Sequence, residues 1–178
     1  MEVAQIGDYR FRPLRWRDAL TAASWRYPGE YAFYDMSWIE MLVIRLGNPL
    51  ARALGIAGFY AVDGVDGALA GVFSYIRHGL EDVEIGVAMR PNLTGQGQGL
   101  DYVRAGMMFG CVRYAPKRFS LLVASFNRRA QKVYERAGFV AHRTISRMTH
   151  GHPVDHIEMS CEVGSLNLHA RDDSVGEA

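Results

Sequence analysis

The chain has 178 residues, a length that suits one domain. Hydrophobic residues make up 49% and charged residues 22%, which excludes a wholly disordered chain and leaves material for a sizeable core. Twenty Lys+Arg against nineteen Asp+Glu give a net charge of +1, without the basic excess of a dedicated nucleic-acid binder.

In chain order, Tyr9–Pro13 alternates and predicts a first strand, ended by proline. Asp18–Trp25 reads as a short helix. A dense aromatic segment follows, with Trp25, Tyr27, Tyr31, Phe33, Tyr34 and Trp38 broken by Pro28 and Gly29. Ser37 could cap a helix through Met41, Leu42 and Ile44 to Gly47. Phe59–Val62 and Ala68–Ile76 read as strands joined by the turn signals Asp63-Gly64 and Asp66-Gly67. Val83–Met89 is a strand with Val83, Ile85, Val87 and Met89 on one face and Glu84, Gly86 and Ala88 on the other. After Pro91 comes a glycine-rich turn, then a helix with Leu100, Val103, Met107 and Cys111 at helical spacing. Phe119–Ala124 reads as a strand buried on both faces. Asn127 predicts an N-cap for a helix carrying Ala130, Val133, Tyr134 and Ala137, with Gly138 at its C-terminal end. Val140–Met148 and Val154–Cys161 form a last hairpin, and the tail from Gly164 is polar. The most apolar region, residues 41–62, is interrupted by Arg45, Asn48, Pro49 and Arg52 and does not reach the roughly 20 apolar residues of a membrane span. The two cysteines, Cys111 and Cys161, make no CxxC pair and read as reduced thiols of a cytoplasmic protein.

Thr94-Gly95-Gln96-Gly97-Gln98-Gly99 between a strand and a helix carries the chemistry. Glycines let the main chain approach a ligand, and the amides with the helix N-terminus favour an anion such as a pyrophosphate. A tight turn without a ligand is the alternative. The P-loop pattern fails because Gln98, Gly99 and Leu100 follow Gly97. The dinucleotide fingerprint fails because Leu100 stands where its third glycine belongs.

With Asn127, Ala130, Tyr134, Gly138 and Phe139 at the spacing Asn-x-x-Ala-x-x-x-Tyr-x-x-x-Gly-Phe some thirty residues later, the chain resembles the GNAT superfamily of acetyl-CoA-dependent N-acetyltransferases. The resemblance covers roughly residues 9–162. It departs at Thr94, where the family usually carries Arg or Gln. The implied fold is an α/β (α+β mixed sheet) single domain, with a central, mostly antiparallel, splayed sheet flanked by helices. Residues 1–163 would form the domain and 164–178 a flexible tail.

The resemblance implies that acetyl-CoA lies between two splayed strands, against Val87, Ala88 and Met89 (where the family often has a bulge), residues Thr94, Gly95, Gln96, Gly97, Gln98 and Gly99, and Asn127. A hydroxyl at Thr94 could still donate to it. Tyr134 fits the general acid for the departing thiolate, with core packing as the alternative. Glu84 is the candidate base, with a solvated strand glutamate as the alternative. Tyr27, Tyr31 and Tyr34, beside Glu30 and Asp35, would line the acceptor pocket. Arg128-Arg129 reads as a solvated face, or as a contact for a CoA phosphate. His150, His152 and His156 lack a fourth ligand, so no metal is expected.

The expected activity is transfer of acetyl from acetyl-CoA to an amine by direct attack through a tetrahedral intermediate. A CoA-binding sensor or regulatory domain without catalysis is the alternative. The partner is a small-molecule or peptide amine, with no nucleic acid or membrane; the family's frequent dimerisation leaves a homodimer open.

Overall fold

The structure is a computed structural model and describes residues 3–35, 57–149 and 151–165. Strand β1 (Ala4–Ile6) turns at Gly7 into β2 (Tyr9–Pro13), which leads to helix α1 (Trp16–Ala23). A 3-10 turn spans Gly29–Tyr34. Then come β3 (Ala57–Asp63), β4 (Leu69–His78), β5 (Asp82–Met89), α2 (Gly99–Tyr114), β6 (Arg118–Ala124), α3 (Arg128–Arg136), β7 (Val140–Thr149) and β8 (His152–Glu162). The predicted helix at Ser37–Gly47, the aromatic Trp38, His150 and most of the tail lie outside the described residues.

The eight strands form one sheet in the order β1-β2-β3-β4-β5-β6-β8-β7. Every neighbouring pair is antiparallel except β5 and β6. That pair is parallel because the chain between the two strands crosses over through the glycine loop and α2. The mostly antiparallel, helix-flanked sheet is the expected architecture. Strand β1 is an addition to it, and the last hairpin enters in reversed order, with β8 and not β7 against β6.

Helices cover the two faces of the sheet differently. Val83 and Ile85 of β5 are buried in the larger core, which also contains Tyr102, Val103 and Met107 of α2, and Val87 and Met89 pack against it. Ala88 of the same strand packs into a second cluster with Ala19, Ala22 and Trp25 at α1. The alternation of β5 is therefore as predicted, and Glu84 belongs to the α1 side by its register.

The larger core is aromatic. Phe11 stacks on Phe109 at 4.6 Å, and the buried phenols find partners: Tyr75 donates to Gly106 O at 2.8 Å, and Tyr114 pairs with Tyr60 at 3.3 Å. Helix α2 comes this close to β4 because residue 106 lacks a side chain; a Cβ there would overlap the Phe73 ring. Gly106→Ala is expected to destabilise the fold by about 1–3 kcal/mol through overpacking. Urea titration measures it, and an unchanged midpoint would mean that α2 can shift off the sheet.

A buried ion triad ties α1 to the sheet. Arg12 on β2 donates to Asp18 of α1 (2.5 and 2.9 Å) and to Asp63 of β3 (two bonds of 2.8 Å). Asp18 also accepts from the Arg15 amide at 2.8 Å, which starts the helix. Burial alone would raise the Asp18 carboxyl, but its hydrogen bonds from Arg12 and Arg15 outweigh burial and hold it below the usual range. The bonds to Asp18 and then to Asp63 raise the Arg12 guanidinium in turn.

Candidate active site

The two parallel strands part company after a short shared stretch. Their ladder runs Asp82↔Arg118, Val83↔Phe119 and Glu84↔Ser120, and ends there. Beyond it β5 continues against β4 as far as Met89, and β6 continues against β8 as far as Ala124. The result is a fork opening toward the C-terminal ends of both strands, where open α/β sheets hold their ligands. Val87, Ala88 and Met89 line one arm without a β6 partner. The expected bulge is absent: β5 pairs with β4 in unbroken register from Asp82 to Met89. Divergence of β6, not an inserted residue, frees this edge.

The glycine loop sits at the tip of the β5 arm. Gly95 (φ +78°) and Gly97 (φ +82°) take the left-handed conformation that side chains resist, and a Cβ at Gly97 would meet nothing within 4 Å. Gln98 caps α2 without a side-chain bond, so the first-turn amides keep the donors that an anion requires. The Thr94 hydroxyl, expected to donate to the ligand, here donates to Pro91 O at 2.7 Å and closes the 3-10 turn Pro91–Leu93. Gln96 is engaged likewise, donating to Asn92 O at 2.6 Å.

Asn127 stands at the tip of the β6 arm. Its Oδ1 accepts from the Ala130 amide at 3.0 Å, the predicted N-cap of α3, and its Nδ2 donates to the Tyr34 hydroxyl at 3.1 Å. Tyr27 donates to Met89 O at 2.8 Å. The segment 27–34 therefore bridges the two arms, with Tyr27 on β5 and Tyr34 on the cap of α3. Its aromatics close this end of the fork: Phe33 lies edge-on to Phe126 at 5.3 Å, and Tyr31 lies under the Arg129 guanidinium at 4.4 Å.

Burial, with the Asp35 charge behind it, pushes the Tyr27 phenol up to about 12. Burial also raises Tyr34, against the opposing hydrogen bonds from Asn127 and the Ala124 backbone. Of the two nearby carboxylates, Asp35 accepts from the Tyr27 amide at 2.8 Å and stands 4.0 Å from Arg26, while Glu30 is exposed.

Tyr134 is half-buried on α3, its ring edge-on to Phe139 at 5.9 Å. Burial, with Tyr34 nearby, raises its phenol well above 10. Glu84 occupies the last rung before the fork opens, on the face opposite Tyr134, and meets His78 at 3.1 Å. The two reach a common ligand only across the gap between β5 and β6.

One contributor escapes the sequence reading. Tyr102 of α2 donates to Ala88 O at 3.0 Å, fixing the β5 arm from the core side; its place on the buried face of α2 is its only sequence signal. His156, opposite Ala124 at the end of β6, bonds Val154 O through Nδ1 at 2.9 Å. Since a carbonyl only accepts, Nδ1 carries the proton and a neutral ring leaves Nε2 as an acceptor beside Phe33, whose ring centre is 6.2 Å away.

No family model and no curated protein matches the sequence. Solved structures do match it. The spermidine N-acetyltransferase of Vibrio cholerae, in complex with CoA and spermine, has a TM-score of 0.71 at 16% identity, over 87% of this chain and 95% of that one. RimL, a ribosomal L7/L12 α-N-protein acetyltransferase in complex with CoA, has a TM-score of 0.70 at 19% identity, over 90% and 98%. RimJ of Mycobacterium smegmatis, in complex with a CoA disulfide, has a TM-score of 0.69 at 18% identity, over 89% and 84%. At these coverages the chain has the fold of the GNAT N-acetyltransferases.

Proposed function

We propose that the chain is an N-acetyltransferase that moves acetyl from acetyl-CoA to a primary amine, with residues 1–163 as the working unit. The observation that carries this reading is the fork between β5 and β6 with the glycine loop at its mouth. The residues fit the donor. A narrow gap with an unpaired strand edge suits the extended pantetheine arm, and main-chain amides at Gly95–Gly99 suit the pyrophosphate. Acetyl-CoA supplies an activated thioester. Around it Val87, Ala88 and Met89 would orient the arm, Asn127 would fix the opposite wall, and main-chain donors would stabilise the negative charge on the carbonyl oxygen.

The step balances simply. The amine lone pair forms the new C–N bond, the C–S bond breaks, and the electron pair leaves on sulfur. Tyr134 gives its proton to the thiolate, and Glu84, directly or through water, takes the proton that the amine loses. The described acceptor wall, Tyr27, Tyr31 and Tyr34 with Phe33, is aromatic. The similar structures include a spermidine N-acetyltransferase and a ribosomal L7/L12 α-N-protein acetyltransferase, which makes polyamines and protein α-amines the two acceptors to try. No helix among the described residues is long and apolar enough to cross a membrane.

Purified protein with acetyl-CoA should release free thiol and acetylate one of a panel of polyamines, lysine-type amines and peptide α-amines. Release with no panel amine above the rate of spontaneous hydrolysis would contradict the reading.

Glu84→Gln separates a base from a bystander. A lysine-type amine near pKa 10.4 arrives protonated, whereas an α-amine near 8 is partly neutral. The substitution should lower kcat/KM about a hundredfold for the first and much less for the second, with donor affinity unchanged. Equal effects on both amines would exclude the base role.

A further inference from the structure

The loop that cradles the donor carries no cation. Residues 94–99 are Thr, Gly, Gln, Gly, Gln and Gly, and the side chains of Thr94 and Gln96 are already engaged with backbone carbonyls. A positive group nevertheless reaches it from the other arm of the fork. A Cβ built on Gly95 would lie 3.7 Å from Nη1 of Arg129, the second residue of α3. Nothing among the described residues neutralises that guanidinium: no carboxylate pairs with it, and the first turn of α3 has no acidic residue. Its neighbour differs, since Arg128 bonds Gln131 Oε1 at 3.1 Å. What holds Arg129 is an aromatic face, the Tyr31 ring 4.4 Å beneath it.

An unpaired guanidinium beside a ring of free amides, shelved on a side chain of the acceptor segment, is a clamp for a diphosphate. We infer that Arg129 binds the pyrophosphate of the acyl donor together with the glycine loop, and that Tyr31 positions Arg129 for it. This rests on the acetyl-CoA reading above and deepens it. The planar fork of arginine suits a diphosphate better than a point charge does. Because Tyr31 belongs to the 27–34 bridge, a bound donor also braces the wall that meets the amine. Tyr31 on this account serves the donor from within the acceptor wall.

Calorimetric binding of CoA, dephospho-CoA and pantetheine tests this without reference to turnover. Dephospho-CoA keeps the pyrophosphate, and pantetheine has no phosphate. Arg129→Gln should weaken CoA and dephospho-CoA alike by about ten- to a hundredfold and leave pantetheine unchanged. Tyr31→Leu should weaken both nucleotides about two- to fivefold, and should add nothing in the Arg129→Gln background. Unfolding of each unliganded variant near the wild-type temperature confirms an intact fold. Unchanged CoA affinity in Arg129→Gln would overturn the inference. So would a loss confined to CoA, which would place Arg129 on the 3′-phosphate, or an equal loss for pantetheine, which would mark general distortion. Wild-type protein that binds none of the three compounds would overturn the acetyltransferase reading itself, and the clamp with it.

Discussion

Tyr134→Phe is expected to cut turnover about a hundredfold or more while donor affinity stays within about twofold. The phenol keeps its proton throughout the physiological range, because burial and then the proximity of Tyr34 raise it. In the proposed mechanism it would therefore enter the reaction as an acid. A raised phenol is a weaker acid in isolation, but a thiolate leaving in the same half-buried gap is desolvated too. Burial raises both, and the difference between them decides proton transfer. The alkaline limb of the rate should accordingly lie above pH 10 for wild type so far as Tyr134 sets it. Pre-steady-state thiol release and donor titration together check the prediction. Equal losses in turnover and affinity would make Tyr134 a packing residue against Phe139.

Arg12→Ala is expected to cost about 3–5 kcal/mol, because it leaves two buried carboxylates without their cation. Against a total stability of about 5–15 kcal/mol that is a large share, and the melting temperature should fall by roughly 6–20 °C. The pH dependence carries a sign. Asp18 is held below its unfolded value of about 3.9, so its contribution is present above that pH and is lost as pH falls through the folded value. In Arg12→Ala the main opposing bonds are gone, burial dominates, and stability should decline at higher pH than in wild type. Denaturant titrations between pH 3 and 7 measure both effects. A variant within about 1 kcal/mol of wild type would show that water reaches Asp18 and Asp63 freely. Since the triad anchors α1 to β2 and β3, its loss should also loosen the 27–34 bridge that follows α1.

How legible all this was depends on how local each signal is. The faces of β5, the Asn127 cap and the left-handed Gly138 (φ +102°) follow from neighbours a few residues apart, and the structure has them as expected. Strand β1 escaped because three residues carry no periodicity; only pairing with β2 makes Ala4–Ile6 a strand. The order β6-β8-β7 is decided by packing across the sheet, which no turn signal encodes. The fork was implied by the resemblance, but its cause, divergence of β6 rather than a bulge, is a property of two strands 36 residues apart in register. Thr94 kept its hydroxyl for Pro91, a local bond that loop composition does not reveal. The Arg12 triad and the Arg129–Tyr31 stack join residues distant in sequence, and only the fold brings them together.

Thermal unfolding with and without acetyl-CoA tests the central claim most directly, with ATP and NADH as controls. A donor at about 100 times its dissociation constant stabilises the fold by about 2.7 kcal/mol, or roughly 5–10 °C for a chain of this size. The account predicts that shift for acetyl-CoA and none for NADH or ATP at the same concentration. No shift with acetyl-CoA, or equal shifts with all three, would contradict a fork built to hold the acyl donor.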